Sequence, residues 1–332
     1  MLQALSRIGR RRALQACAAL VVVLGLLLWW LLPLGPSEPT GTLTFSTGVR
    51  SGVYQRYGER LRGDLAKDLP QVSIRLQTSE GSQQNIERVA SGKADFTIAT
   101  TDALATYLSS GKPGADLLRG CVRLYDDYIQ LVVPRDSEVR KVSDLRGKRV
   151  GVGQRGSGVR LVADRVLAAG GLDPEDDVTP VPSGIDTMPE QLEDERLDAF
   201  FWSGGLPTTA VQELAGRFPI RLVPLEARLV ERLQAAGGSA RYYRSAVMPA
   251  DAYRNAQQGQ AVPTVAVSNV LVTTEHSDPA LTEAFTRTVI DSRDRIGSEV
   301  HAAQLVDLRT AIYTDPLPLH EGASRYYRSV KP

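Results

Sequence analysis

Beyond residue 41 the chain alternates short apolar runs with longer amphipathic stretches. "TLTFST", "VSIRLQT" and "DFTIAT" read as strands, followed in turn by helical patterns over Gly52–Asp68, Ser82–Ser91 and Asp102–Ser109. Strand runs alternating with helical patterns predict βαβ units on a parallel sheet. "YIQLVV", Tyr128–Val133, predicts a further strand ending at Pro134. The alternation then restarts. "KRVGVG" reads as a strand, with a helix over about 159–169 after it. "DVTPVP" is a short strand, Met188–Arg196 a helix, "DAFFW" a strand, Pro207–Gly216 a helix and "IRLVPL" a strand. A polar, less regular stretch precedes "TVAVSNVLVTT", Thr264–Thr274, a long apolar strand, and helical patterns fill most of the remainder.

The restart at Lys148 predicts two α/β lobes. Tyr128–Val133 and Thr264–Thr274 are the natural crossovers, and together they return the C-terminal segment to the first lobe. The expected division is lobe I over 42–130 plus 270–332 and lobe II over 131–269. Strand carboxyl ends in both lobes should then face one cleft.

The N-terminus is patterned differently. Arg7, Arg10, Arg11 and Arg12 precede an uncharged run, Ala13–Leu34, broken only by Gln15, Gly25 and Pro33. That run is long enough to span ~30 Å of hydrocarbon. The expectation is a cytoplasmic basic segment (1–12), a transmembrane anchor (13–34) and a Pro-rich linker (35–41). Arginines stay on the cytoplasmic side, which places the soluble part in the periplasm, held to the inner membrane. Trp29 and Trp30 sit near the outer end, where indoles favour the interface. The alternative is a signal peptide, cleaved to release the protein into the periplasm. Its apolar region is ~7–15 residues long and ends in an A-x-A-like site, and "LLWWLLPLGPSEPT" has no such site. "LQAC" at Leu14–Cys17 is not a lipid-attachment box, because the apolar stretch follows the cysteine instead of preceding it. Cys17 and Cys121 fall in different compartments, so no disulfide is expected between them, and Cys121 reads as a small buried residue.

Composition narrows the class. With 42% hydrophobic and 23% charged residues the chain is a folded protein. A net charge of +1 provides no field for nucleic acid. The candidate chemistry lies in two similar turns, "STGVRSGVY" and "GVGQRGSGV", each placing glycines and a serine between a strand and a helix. Unpaired N–H groups at a helix start, approached closely through glycine, suit an anionic or zwitterionic ligand. From the first turn the candidates are Thr47, Gly48, Arg50, Ser51, Gly52 and Tyr54; from the second, Gly156, Ser157, Gly158 and Arg160. "TSEGSQQN" adds Ser79, Gly81, Ser82 and Asn85, with Ser82 a candidate N-cap. "DAFFWSGG" adds Trp202, Ser203 and Gly204, and Tyr125 is a candidate wall. Arg50 and Arg160 are the candidate forks for a carboxylate.

Enzyme and cofactor readings are weaker. Gly151, Gly153 and Gly156 spell G-x-G-x-x-G. The acids about 20 positions on, Asp173, Glu175, Asp176 and Asp177, lie in a polar turn and not at a strand end. His276, His301 and His320 are scattered, and no G-x-S-x-G or Walker lysine is present. "SSGK" at Ser109–Lys112 lacks the companion motifs of S-x-x-K enzymes. A non-enzyme without a cofactor is expected.

Taken together, "STGVRSGVYQRYG", "TSEGSQQNIERVASGKADFTIATTD", "VRLYDDYIQLVV", "VSDLRGKRVGVGQRGSG", "DAFFWSGGLPTTAVQELA", "IRLVPL" and "LPLHEGASRYYR" resemble the TAXI solute-binding proteins of tripartite (TRAP) transporters. The resemblance implies a periplasmic binding protein-like fold with two crossover strands. It implies a small carboxylate or amino acid ligand, glutamate-like, enclosed between the lobes and passed to TRAP permease subunits. A sensor subunit reporting to a signalling partner such as a sensor kinase is the alternative. Carried over by position, the ligand loops are Thr47–Tyr54, Ser79–Asn85, Thr100–Asp102 (with Thr101 and Asp102 as candidates), Gly156–Arg160 and Trp202–Gly204. Ser51, Arg50, Val159 and Thr100 depart from the family pattern and alter the donors in the pocket.

Overall fold

The computed structural model describes residues 14–27 and 39–330. Helix α1 covers residues 14–27 and exposes its apolar side chains, among them Leu20, Val21 and Leu24. Among the described residues no helix is long and apolar enough to cross a membrane. The rest of the expected 13–34 span lies outside the described residues, as do the 1–12 segment and most of the linker.

Residues Thr40–Pro332 form a separate compact unit. It opens with β1 (Gly41–Ser46), α2 (Val53–Asp68), β2 (Val72–Gln77), α3 (Ser82–Ala90), β3 (Phe96–Thr100) and α4 (Thr101–Ser109). β1 pairs in parallel with both β2 and β3. β3 is buried along its whole length, whereas β2, at the sheet edge, alternates buried and exposed positions. α2 buries Tyr57, Leu61 and Leu65, a stripe at helical spacing. The long strand β4 (Leu118–Pro134) follows, then β5 (Arg149–Gly151), α5 (Gly158–Ala169), β6 (Thr179–Val181), α6 (Met188–Glu193), β7 (Ala199–Gly204), α7 (Thr209–Arg217), β8 (Ile220–Leu222), α8 (Ala227–Ala235), β9 (Arg244–Met248), α9 (Arg254–Gln257) and β10 (Val262–Thr274). Helices α10 (Pro279–Asp291), α11 (Arg293–Gly297) and α12 (Glu321–Val330) complete the chain.

The strands join in one sheet ordered β2-β1-β3-β10-β4-β7-β5-β6, with β8 on β4 and β9 on β10. β5 is parallel to β6 and β7, while β4 and β10 run antiparallel to each other and to their other partners. Buried apolar side chains divide around these two strands. One cluster gathers Ile129 to Val133 with β5–β9 and their helices. Two more, on the faces of β1–β3, take in Cys121 to Tyr125, Val270 to Val272 and the C-terminal helices. We describe these as lobe II and lobe I. Between the clusters, β4 carries Asp126 and Asp127 and β10 carries Ser268 and Asn269, where the β4–β10 register shifts.

The expected strand Tyr128–Val133 is only the end of β4, which starts ten residues earlier at Leu118. Arg119, Arg123 and Asp126 break its apolar run; each is neutralised by pairing, Arg119 with Glu275 and Arg123 with Asp126 at 2.9 Å. The stretch read as irregular holds α8 and β9.

Candidate interlobe binding site

A cavity lies between the lobes at the carboxyl ends of their strands. Lobe I lines it with Gly48, Val49, Gly52, Val53 and Tyr54 around the start of α2, Glu80, Gly81 and Ser82 at the start of α3, and Thr100 at the end of β3. Lobe II contributes Gly153, Gln154, Ser157, Gly158 and Val159 from the β5–α5 turn, Gly184, and Trp202, Ser203 and Gly204 from β7. Asp127 reaches it from β4. The cavity has a volume of about 60 Å³, several times the ~10–15 Å³ that a single water needs. Two backbone turns shape it. Gly153 has φ +81°, and a Cβ there would fall 2.6 Å from Val159 Cβ, so the β5–α5 turn needs glycine. Gly81 has φ +128°, and a Cβ there would lie 3.5 Å from the Gly158 nitrogen and from Ser157, so the two helix starts approach closely across the cleft.

Polar contacts hold the lobes together around this space. Gln84 N donates to Gly156 O at 3.1 Å and Gln83 Nε2 to Ser157 O at 2.7 Å. Ser51 donates through its hydroxyl to Asp186, and Arg56 to Thr209 Oγ1 at 2.7 Å. Behind the cavity Arg165, on α5, donates to Asp102 at 3.2 Å and Thr106 at 2.8 Å on α4 of lobe I. The same guanidinium also donates to the Tyr243 hydroxyl of its own lobe at 2.9 Å, and that hydroxyl in turn donates to Asp102 at 2.6 Å.

The floor is a hydrogen-bonded chain through both crossing strands. The Tyr54 hydroxyl donates to Asn269 Oδ1. Asn269 Nδ2 donates to Asp127 Oδ1 at 2.7 Å, and Ser203 Oγ to Asp127 Oδ2 at 3.3 Å. Burial raises the Asp127 carboxyl from 3.8 to about 7, against the opposing pull of the Asn269 and Ser203 hydrogen bonds and with help from the Asp126 and Asp102 charges. Glu80 Oε2, Gln154 Oε1 and Thr100 Oγ1 are buried without a hydrogen-bond partner. Among the described residues no lysine, arginine or histidine lines the cavity.

The profile of the NMT1-like family matches residues 45–330. The chain belongs to the NMT1-like family. Its fold is that of solved binding proteins at low identity. The alkanesulfonate-binding protein SsuA from Xanthomonas axonopodis pv. citri, bound to MOPS, is 18% identical, with 88% of this chain and 85% of that chain covered and a TM-score of 0.51. A putative L-cystine ABC transporter protein from Listeria monocytogenes is 14% identical (81% and 99% covered, TM-score 0.50). An ancestral arginine-binding protein bound to arginine is 14% identical (78% and 97% covered, TM-score 0.50). These likenesses establish the α/β periplasmic binding protein-like fold. They also correct the TAXI resemblance. The matching family is the NMT1-like one, and the similar structures include a sulfonate-binding protein and an ABC transporter protein. The TRAP permease expected from that resemblance loses its basis.

In this NMT1-like chain the structure brings together Gly48, Gly52, Tyr54, Gly81, Ser82, Ser157, Gly158, Trp202, Ser203 and Gly204 around the cavity. The other candidates lie elsewhere. Thr47, Ser79 and Asn85 are buried beneath the first loop, where Asn85 and Ser79 donate to Thr47 O at 2.6 and 3.1 Å. Ser51 and Gly156 make closing contacts outside the lining. Thr101 is buried off the cavity, and Asp102 is committed to Arg165 and Tyr243. Tyr125 is core, its ring 5.9 Å from that of Tyr57. Neither arginine fork lines the cavity: Arg50 is exposed, and Arg160 turns along its own helix to Asp164 at 2.9 Å and to Glu175. The lining residues not singled out include Glu80, Gln154 and Asp127. Glu80 falls inside an expected loop. The sequence signal for Asp127 is an acidic pair, Asp126 and Asp127, inside a strand that also carries Arg119, Arg123 and Gln130.

The buried acids make this geometry testable. The folded state keeps the Asp127 proton up to about pH 7 and the unfolded chain only to about 3.8. The resulting stability is therefore full below the lower value and lost as pH rises through the upper one. At about 1.4 kcal/mol per pH unit this amounts to a few kcal/mol. In ligand-free protein, Asp127→Asn should flatten that fall between pH 5 and 8.5 and stabilise the fold by about 1–3 kcal/mol at pH 8; paired denaturant titrations across the range provide the check. Arg165→Met leaves Asp102, 2% exposed at its side chain, without its cation. Allowing for the partial exposure of Arg165, the contact between α5 and α4 should lose about 2 kcal/mol. The variant should show a larger radius of gyration in small-angle scattering than the parent.

Proposed function

We propose that this protein is an extracytoplasmic solute-binding protein without catalytic activity. Its two lobes, 42–130 plus 270–332 and 131–269, close on a small polar solute and present the closed form to a membrane permease. The observation that carries this reading is a cavity built from both lobes and sealed by interlobe hydrogen bonds, with helix starts on each side. Within the expected class of small carboxylates and amino acids, the cavity favours the amino acid. The starts of α2 and α5 offer backbone N–H groups to a carboxylate, and Glu80 and Asp127 offer acceptors to an ammonium. Arginine, bound in one of the similar structures, combines a carboxylate with basic nitrogens and supports the same class. The arginine cluster and apolar run at 7–34 support tethering to the inner membrane with the binding unit in the periplasm.

Trp202 lines the cavity, and the other two tryptophans lie in the apolar N-terminal run. Titrating the purified full chain with the common amino acids should therefore change Trp202 emission for the true ligand. The same ligand should raise the unfolding temperature with concentration, because it binds only the folded state. Trp202→Phe should abolish the emission change. If no amino acid or small carboxylate alters either readout, the reading is wrong.

A further inference from the structure

We infer that the solute must carry a cationic nitrogen, an ammonium or guanidinium group, held between Glu80 of lobe I and Gln154 of lobe II. This rests on the reading of the cavity as the solute site and names the group it recognises. Glu80 Oε2 and Gln154 Oε1 are buried on opposite walls of the cavity, and neither has a hydrogen-bond partner. Gln154 can present either end of its amide, but an ionised Glu80 only accepts. Glu80 is not occupied by capping its own helix. The Glu80 nitrogen is instead met by Gln84 Oε1 at 3.0 Å, and the Gly81 nitrogen by Ser79 Oγ at 3.0 Å. Asp127 adds a second carboxyl at the floor.

Among the described residues no basic side chain on the lining balances these acids; Arg50 and Arg155, in the adjacent loops, are exposed and off the lining. Arg160 is paired with Asp164 and Glu175, and Arg88 donates to Ser46 Oγ at 3.0 Å and Thr78 O at 2.8 Å. Glu80 is half-buried, but its Oε2 is fully buried; a buried carboxylate oxygen without a partner is costly, and a solute that donates an N–H group to it relieves that cost. A plain dianion would instead place its own charge against Glu80. The cavity therefore selects on the sign of charge: helix starts can take a carboxylate, but only alongside a nitrogen cation.

The test is a panel titrated into the full chain by calorimetry and thermal unfolding. Putrescine, arginine and alanine supply nitrogen cations; succinate and ethanesulfonate supply anions without nitrogen; 1,2-propanediol is uncharged. At least one nitrogen cation should bind, the other classes should not, and Glu80→Gln should weaken that binder at least tenfold. Glu80→Ser provides the same comparison if the glutamine variant fails to fold. Binding confined to the anions or the diol overturns the cation requirement and leaves the solute-binding reading standing. Equal affinity for the cation in the Glu80 variants also overturns it. If nothing in the panel binds and none of the common amino acids or small carboxylates does either, both fall.

Discussion

The sheet is continuous because β4 and β10 pass through both lobes, and most other features depend on how those strands cross from one core to the other. Apolar side chains cannot fill that transition, because a water-accessible cleft opens beside it. Polar residues occupy it instead: Asp126 and Asp127 on β4 opposite Ser268 and Val267 on β10, with Asn269 next in line. Alternation along the strand sends the two aspartates to opposite faces. Asp126 is paired with Arg123, Arg244 and Ser268. Asp127 faces the cavity and is held by the neutral donors Asn269 and Ser203. The register shift beside Ser268 interrupts the ladder at the same level, which is where two-stranded connections bend with least loss of pairing.

The contacts that hold the cleft shut are of a kind suited to reversal. Ser51 to Asp186, Gln84 to Gly156 and Gln83 to Ser157 are hydrogen bonds near the rim. On opening, each group exchanges its partner for water at a net loss of only about 1 kcal/mol. The buried cores on either side are separate clusters, but Val49 of lobe I packs against the lobe II cluster and Leu161 of α5 against a lobe I cluster, so parting the lobes exposes these two side chains. Arg165 differs because it neutralises a deeply buried acid, and its set of partners on α4 makes it the contact most tied to the closed geometry.

Much of this architecture is legible in the amino-acid sequence. Amphipathic spacing locates the helices that pack on the sheet, and the apolar runs after Lys148 locate β5, β7 and β8. Part of the candidate site is legible too, because glycine and serine between a strand and a helix mark a tight turn and an N-cap, where backbone N–H groups lie free. In "GVGQRGSGVR", Gly151 ends β5, Gly153 makes the turn, and Ser157 caps α5 through its hydroxyl to the Arg160 nitrogen at 3.0 Å. The charges are not legible. Arg160 follows the capping serine, yet its side chain points along α5, where Asp164 sits one turn on at the i,i+4 spacing that favours pairing. Asp127 stays hidden because strand periodicity reports which face a residue takes but not that a cleft opens beneath that face. Family resemblance misleads at the level of name and partner while agreeing with the fold, as expected when topology outlasts the residues that choose a ligand.

The lack of a basic side chain among the described lining residues also bears on when the lobes close. On the proposed reading, parting the lobes would hydrate Glu80 and Asp127, and closing them without a solute would remove that water and provide no counter-charge, so empty closure would work against itself. Burial raises Asp127 to about 7, which lets it shed its charge at neutral pH and lowers part of that cost. On the proposed reading a solute with N–H donors removes the remaining cost at Glu80, and its carboxylate draws the starts of α2 and α5 together. Binding free energy is then tied to closure through the same atoms that select the solute. A ligand contacting only one lobe gains none of it, because a ligand shifts a two-state equilibrium only by its differential affinity for the two states.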